Sequence, residues 1–434
     1  MLITAHTAVG APTLTVVFQG VVGTVPASVA MQRFEIAGLE ANGARDVHSV
    51  LLSGLTPATT YTVTIVSSGS SPGDAAPAAT KKFRTGPSGK APFGFISGGD
   101  MGNTNPAVDM TAAAARMEPL FSIVGGDVAY DQGMRSCYRC MDQWLSDWET
   151  AMVTPTGYTV PMIIVIGNHD VGANSMDFSF EGIYPFTDPK DPRIPLSLIF
   201  FPEEDTTAAA TGVLPPHKRK TYHSHVVGDS LLVLGLDSGY MERFDGPQTQ
   251  WIDDQLAAHS GMIKTVVYHD PIYPVEITPG HVGNPLDPGF PDATFAAAAR
   301  ETWVPIFDRR HLSAAFENHV HSFKRTYPLT AGSCEATPAD GKCSETADGT
   351  VYLGDGYWGV IMGMGAPPQE PLLRDPHPII KTAGLRYHVW SFTVSEDATG
   401  PALNATAIAG VACPELSSDE MCLGAFDSTL IRPW

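Results

Sequence analysis

From Phe93 onward, short apolar runs alternate with stretches of helical composition, and the runs stop on residues that can hold a cation. "FGFIS" leads into Gly99, Asp100, Met101 and Gly102. "LFSIV" leads into Gly126, Asp127 and Tyr130. "MIIVI" leads into Asn168, His169 and Asp170, "KTVVY" into His269, and "LSAAF" into Glu317, Asn318, His319 and His321. Between them, "NPAVDMTAAAARME", "CMDQWLSDWETAM" and "PQTQWIDDQLAAH" read as helices, and "YHSHVVGDSLLVLGLDS" as two adjacent strands. Strands that alternate with helices build a sheet with helices on its faces. Open sheets of this kind bind ligands beyond the carboxyl ends of their strands. The pattern therefore predicts that the residues after the five runs meet at one edge, and the flanking glycines suit tight turns beside a crowded site.

The residue types say what such a site holds. Two Asp, one Tyr, one Asn and three His form an oxygen and nitrogen set without thiolate, which suits iron, zinc or manganese. Seven donors are too many for one tetrahedral ion and suit two ions sharing a carboxylate. Two metals about 3.5–4 Å apart clamp the attacking and leaving oxygens of a phosphoryl displacement.

The first ~85 residues read differently. "TLTVVFQG", "VHSVLLSGL" and "TTYTVTIVSSG" are short β-rich runs separated by Gly, Pro and Ser, the pattern of a small antiparallel sandwich. "LSGLTPATTYTVTIV" resembles the fibronectin type III signature at Leu55, Pro57, Thr59 and Tyr61, and "GPSGKAP" reads as a linker. The expected division is residues 1–88 as a fibronectin type III-like β-sandwich with a packing or adhesion role, and 89–434 as the catalytic domain. A length of 434 residues accommodates two or three domains.

The order GDxG, GDxxY, GNH, a lone His and HxH, covering most of residues 93–330, resembles the purple acid phosphatases within the calcineurin-like metallophosphoesterases. That resemblance implies a four-layer α/β/β/α domain. It implies that Asp100, Tyr130 and His321 hold Fe(III), and that Asn168, His269 and His319 hold a divalent Fe, Zn or Mn. Asp127 would bridge the two. A Tyr130 phenolate on ferric iron would give the colour of that family. His169 would orient the phosphoryl group and protonate the leaving oxygen. The implied reaction is phosphomonoester hydrolysis by in-line attack of a metal-bound hydroxide. A phosphodiesterase or nucleotide pyrophosphatase using the same centre, and a non-catalytic surface binding protein, remain alternatives.

Two positions depart from the family pattern. Asn318 stands where a Gly is usual, and Asn tolerates unusual backbone angles. Asp170 stands where Glu is frequent, and is expected as an outer acceptor for a histidine. His281, in the Pro/Gly-rich 271–292 stretch, and Arg325 are candidate substrate contacts; the alternative readings are a surface histidine and a salt-bridged structural arginine. Asp237 and His225 are expected to be structural, and Trp251 and Leu256 to face a helix onto the sheet. The long segments 171–220 and 271–292 are expected to serve the site.

With 26 basic and 46 acidic residues the formal charge is −20, which argues against binding nucleic acid or anionic lipid. The expected substrate is a small phosphorylated molecule. No apolar run is long enough to span a bilayer, and the opening "MLITAHTAVGAP" lacks the basic and apolar parts of a secretory signal. The cysteines fall into close pairs, Cys137/Cys140, Cys334/Cys343 and Cys413/Cys422, which read as disulfides of an oxidising, secreted setting, with Cys137/Cys140 the weakest of the three because a C-x2-C pair can also be redox-active or bind zinc. Asn404 lies in a glycosylation sequon.

Overall fold

The computed structural model of the chain describes residues 1–20, 26–36, 43–67, 80–173, 183–203, 212–275, 277–278, 281–283, 293–334, 343–360, 372–412 and 421–434. The first strands are β1 (Leu2–Ala8), β2 (Leu14–Gln19), β3 (Ala27–Ala30), β4 (Gln32–Glu35), β5 (Arg45–Leu51), β6 (Thr60–Ser67) and β7 (Thr80–Arg84). They form a three-stranded sheet, β1-β5-β4, and a four-stranded sheet, β3-β2-β6-β7, with antiparallel pairing throughout. Alternation explains the packing: Val16, Val50, Tyr61, Val63 and Phe83 point inward into one shared cluster. The Tyr61 hydroxyl accepts from the Thr56 amide at 2.9 Å, so the "LTPATTY" turn is closed by its own tyrosine.

This region packs directly on the next. Ile36 and Val47 join the core around Tyr138 and Phe200. Arg45 makes a two-pronged pair with Asp142, one prong at 2.8 Å, and its guanidinium lies 5.2 Å from the Tyr138 ring centre.

The following elements alternate as the composition requires: β8 (Phe93–Gly98), α1 (Asn105–Ala115), β9 (Ser122–Val124), α2 (Tyr138–Ala151), β10 (Met162–Ile164), α3 (Asn168–Val171), α4 (Leu196–Phe200), β11 (His223–Val227), β12 (Leu231–Gly235), α5 (Pro247–Ala258), β13 (Ile263–Val267), β14 (Ile277–Thr278), β15 (His281–Val282), α6 (Ala293–Thr302), α7 (Val304–Arg310) and β16 (Ala314–Phe316). The remainder is strand: β17 (Phe323–Thr326), β18 (Val351–Gly354), β19 (Leu373–His377), β20 (Ile380–Gly384), β21 (His388–Asp397), β22 (Gly400–Ala412) and β23 (Met421–Ile431).

Two sheets result. One runs β10-β9-β8-β21-β22-β23, the other β11-β12-β13-β16-β18-β17-β20-β19. Each is parallel among β10, β9 and β8 or among β12, β13, β16 and β18, and antiparallel elsewhere. Phe95, Ile123 and Phe392 of the first sheet interleave with Val233, Val267, Phe316 and Leu353 of the second. Phe95 and Phe392 stack at 4.7 Å between ring centres, and Phe316 lies 4.8 Å from Phe392. Outside the first sheet, α1 and α2 bury Met110, Met141, Trp144 and Trp148; outside the second, α5 and α7 bury Ile252, Leu256 and Phe307. The order is helix, sheet, sheet, helix. Both inner faces and both outer faces are covered, which is why these short strands are apolar on consecutive residues rather than alternating.

Two expectations about cysteine separate here. Cys334 and Cys343 are disulfide-bonded. Cys137 and Cys140 are free thiols, contrary to the reading of all close pairs as bridges. Cys137 caps α2 and Cys140 lies in its first turn, so a spacing that suggested a staple instead starts a helix. Cys413 lies outside the described residues. Among those residues no helix is long and apolar enough to cross a membrane.

Candidate metal centre

The strand ends converge. β8 delivers Asp100, β9 delivers Asp127 and Tyr130, β10 delivers Asn168 and His169, β13 delivers His269, and β16 delivers His319 and His321. Five of these residues, Asp100, Asp127, Tyr130, His319 and His321, have φ between 53° and 77°. Non-glycine residues adopt this left-handed region at a cost, and such strain concentrates where packing forces side chains toward a common point. Gly356 shows how tight the packing is. At φ 63°, a Cβ there would lie 1.8 Å from Asp100 Oδ2, so only glycine fits.

The donors fall into two groups. In one, His321 Nε2 lies 3.0 Å from Asp100 Oδ1 and 3.1 Å from the Tyr130 hydroxyl. In the other, Asn168 Oδ1 lies 3.0 Å from both His269 Nε2 and His319 Nδ1, and those two nitrogens are 3.3 Å apart. Asp127 adjoins the second group, with Oδ2 3.3 Å from His269 Nε2 and Oδ1 accepting the His169 amide at 2.9 Å. His269 Nε2 is also 3.9 Å from Asp100 Oδ1. All seven expected ligand residues are thus in one connected cluster, and Asp100, Asp127, Asn168 and His269 are buried.

The cluster fits cations. His269 Nδ1 pairs with the Gly125 carbonyl at 2.7 Å, an acceptor that requires the ring proton at Nδ1 and turns the Nε2 lone pair inward. That lone pair faces the oxygens of Asn168 and Asp127, so acceptors confront acceptors unless positive charge lies between them. In the bare protein a proton supplies it. Burial alone would lower the His269 pKa, but Asp127 and Asp100 override it and hold the ring well above its ordinary value. Burial likewise opposes ionisation of Asp127, yet His269 keeps that carboxyl below its ordinary range. Burial, with Asp100 and Asp127, raises the Tyr130 pKa and keeps its phenol protonated. A multivalent cation would replace the proton as the local positive charge, reversing the preferences of His269 and Tyr130 and keeping Asp127 ionised.

Outside the ligands, His169 is partly exposed, with Nε2 3.8 Å from Asp127 Oδ2. Gln132 Nε2 lies 2.6 Å from His169 Nδ1; its amide donates there, leaving the ring proton on Nε2, toward the cluster. Burial lowers the His169 pKa, so the ring is neutral near pH 7. Nothing in the sequence singled out Gln132, because "DQG" after a tyrosine reads as an ordinary turn. Asp270 was also missed: Oδ1 lies 3.5 Å from His319 Nδ1.

Several expectations change. Asp170 does not serve a histidine; it accepts the backbone amides of Asp127 at 2.7 Å, Gly167 at 2.8 Å and Val128 at 3.1 Å. It ties together the loops that carry Asp127 and Asn168. Asn318 is not the strained residue of its loop, since the left-handed angles fall on His319 and His321. Its amide instead donates to the Tyr268 carbonyl at 3.0 Å, with the side chain filling the space over Gly125. Arg325 is not joined to the cluster. It is 3% exposed on β17, forked onto Asp427 at 2.6 and 3.1 Å and onto Glu345 at 3.0 Å, which is the salt-bridged alternative. His281 sits on β15 opposite Thr278, and its side chain lies outside the described residues. Asp237 is structural as expected, accepting the Thr221 hydroxyl and three successive amides, of Tyr240, Met241 and Glu242. His225 is half-buried on β11 beside His223. Leu256 is buried and Trp251 packs beside it, as expected of that helix face.

No family model matches the sequence. Two uncharacterized proteins of Mycobacterium tuberculosis, from strains CDC 1551 / Oshkosh and H37Rv, are each 25% identical over 362 residues, which is 76% of this chain. The chain spans 60% of the length of these relatives. Among solved structures, purple acid phosphatase PPD1 from yellow lupin (Lupinus luteus) seeds superposes with a TM-score of 0.65 at 17% identity, covering 99% of this chain and 72% of the lupin chain. PhoD superposes with a TM-score of 0.63 at 11% identity, covering 98% of this chain and 85% of its own. The sandwich of sheets that carries the seven side chains therefore shares its fold with the purple acid phosphatase and PhoD structures.

Proposed function

We propose that the protein is a dimetal phosphoester hydrolase whose preferred substrates are small phosphomonoesters. The observation that carries this reading is the convergence of seven donors, with Asp127 facing His269 and His269 in turn 3.9 Å from Asp100 of the Asp100–Tyr130–His321 group. Asp100, Tyr130 and His321 would hold an Fe(III), and Asn168, His269 and His319 a divalent Fe, Zn or Mn, with Asp127 shared between them. When bound, such a pair supplies Lewis-acid charge for a phosphoryl oxygen and lowers the pKa of water toward neutrality.

The chain's own residues do the rest. His169 presents its Nε2 proton over the centre, where it hydrogen-bonds a phosphoryl or leaving oxygen. Gln132 fixes that tautomer from behind. Asp170 keeps the Asp127 and Asn168 loops in register. The local cationic charge offsets the acidic body, which would otherwise repel a phosphate. Cleavage of diesters by the same centre is the competing reading, because a pair of metals can clamp the attacking and leaving oxygens of either kind of ester.

Residues 1–88 are read as a fibronectin type III-like module that braces the hydrolase through Arg45 and the Tyr138 region. The Cys334–Cys343 bridge and the exposed sequon at Asn404 support a secreted, glycosylated setting. The test is elemental analysis with initial rates on p-nitrophenyl phosphate and its bis ester. The expected result is two metals per chain and faster monoester turnover. A faster rate on the bis ester favours the diesterase, and two bound metals without turnover of either ester defeats both readings.

A further inference from the structure

A second group of cation-binding side chains lies away from this centre. His225 Nε2 is 3.0 Å from His223 Nδ1 and 3.4 Å from Glu203 Oε2, and the three donor atoms lie within 4.8 Å of one another. We propose that Glu203, His223 and His225 form a third cation site, for a borderline divalent transition ion of the zinc class, which clasps the open edges of the two sheets.

The geometry favours this chemistry. With metal–nitrogen bonds of about 2.0–2.1 Å, neighbouring ligands of a tetrahedral ion are about 3.3 Å apart, and two of the three separations bracket that value. Two of the three ligands, His223 and Glu203, are held from outside, as metal ligands usually are. His223 Nε2 pairs with the Ile164 carbonyl at 2.9 Å, which requires the proton at Nε2 and leaves the Nδ1 lone pair for the ion. Glu203 spends its other oxygen, Oε1, on the Ile164 amide at 3.1 Å. Two imidazoles and one carboxylate form a donor set suited to zinc rather than to calcium or magnesium. A cavity of about 20 Å³ adjoins the cluster, lined in part by Glu203, His223, Thr221 and Asp170, with room for one water as a further ligand. Lys220 also lines it, with its ammonium 5.0 Å over the Tyr222 ring. Side-chain exposure of 15% at Glu203 and 16% at His225 leaves the ion a path from solvent.

The position gives the site a purpose. β10 is the edge of one sheet and β11 the edge of the other. His223 and His225 come from β11, and both backbone groups of Ile164 that the cluster uses belong to β10. An ion bound here would reinforce the side-chain link that already joins the edge strands β10 and β11.

The experiment is a competition titration of zinc against a chromophoric chelator, using chelator-stripped full-length protein and its His225→Gln variant, with thermal unfolding recorded in parallel. The wild type is expected to take up one zinc equivalent more than the variant and to gain more in unfolding temperature from zinc. Turnover of p-nitrophenyl phosphate is expected to be the same in both once their metals are restored. Equal zinc uptake by the two proteins overturns the proposal. Glu203→Gln keeps the carbonyl that accepts from Ile164 and provides a second reading should His225→Gln fold poorly; it must lose the same equivalent. The difference of one equivalent is counted whether or not the centre at Asp127 hydrolyses phosphoesters.

Discussion

Asp127 Oδ2 lies 3.3 Å from His269 Nε2, and that approach joins ligands carried by the two sheets, Asp127 after β9 of one and His269 after β13 of the other. The Asp127 carboxylate, proposed to be shared by two metals, is therefore the most sensitive point of the proposed centre. Asp127→Asn keeps the shape and removes the charge. Metal content measured by elemental analysis is expected to fall below two per chain. The value of kcat/KM is expected to drop by more than about 100-fold, beyond the loss typical of an outer partner. Retention of both metals would show that Asp127 does not bridge.

Tyr130 supplies a readout that depends on iron. Its hydroxyl lies 3.1 Å from His321 Nε2, and its neighbours keep it protonated in the bare protein. Loading with Fe(III) is expected to release that proton and give a broad visible absorption band. Tyr130→Phe is expected to abolish the band while leaving the fold, followed by far-ultraviolet circular dichroism, unchanged.

Gln132 acts through His169. Removing it frees the imidazole to change tautomer and to rotate. Gln132→Ala is expected to lower kcat by about 10-fold to 100-fold, with KM and metal content close to wild type. A change in KM alone would instead mean that Gln132 meets the substrate.

Lys324 is fully buried between Glu317 and Asp355, and Glu317 also accepts from Tyr268 at 2.6 Å and the Ile272 amide at 2.7 Å. Lys324→Met leaves two carboxylates without their cation. Urea unfolding is expected to show a loss of about 3–5 kcal/mol, the usual consequence of breaking a buried pair on one side.

Much of the centre was legible before any coordinates. Apolar runs on consecutive residues identify strands covered on both faces, and a polar residue just past each run must sit at a sheet edge, because a buried strand cannot end on an unpaired charge. That reasoning reached Asp100, Asp127, Asn168, His269 and His319, and the nearby Tyr130 and His321 came with them. It failed where local spacing was asked to report a distant partner. Arg325 stands four residues after His321, yet its guanidinium is taken by Asp427 from the far end of the chain. Cys137 and Cys140 have a spacing that allows a bridge, but a helix starts between them and they remain thiols.

What the sequence determined alone is the order of strands and helices and the chemistry waiting at each strand's end, since both follow from residue type and period within a few positions. What only the tertiary structure decided is which side chains meet. Gln132 reaches His169, Asp170 gathers the amides of two loops, and Glu203 reaches His225. Each of these contacts depends on how one sheet or loop is laid against another, and that placement is set by the packing of buried faces such as Phe95, Phe316 and Phe392, far from the polar atoms it brings together.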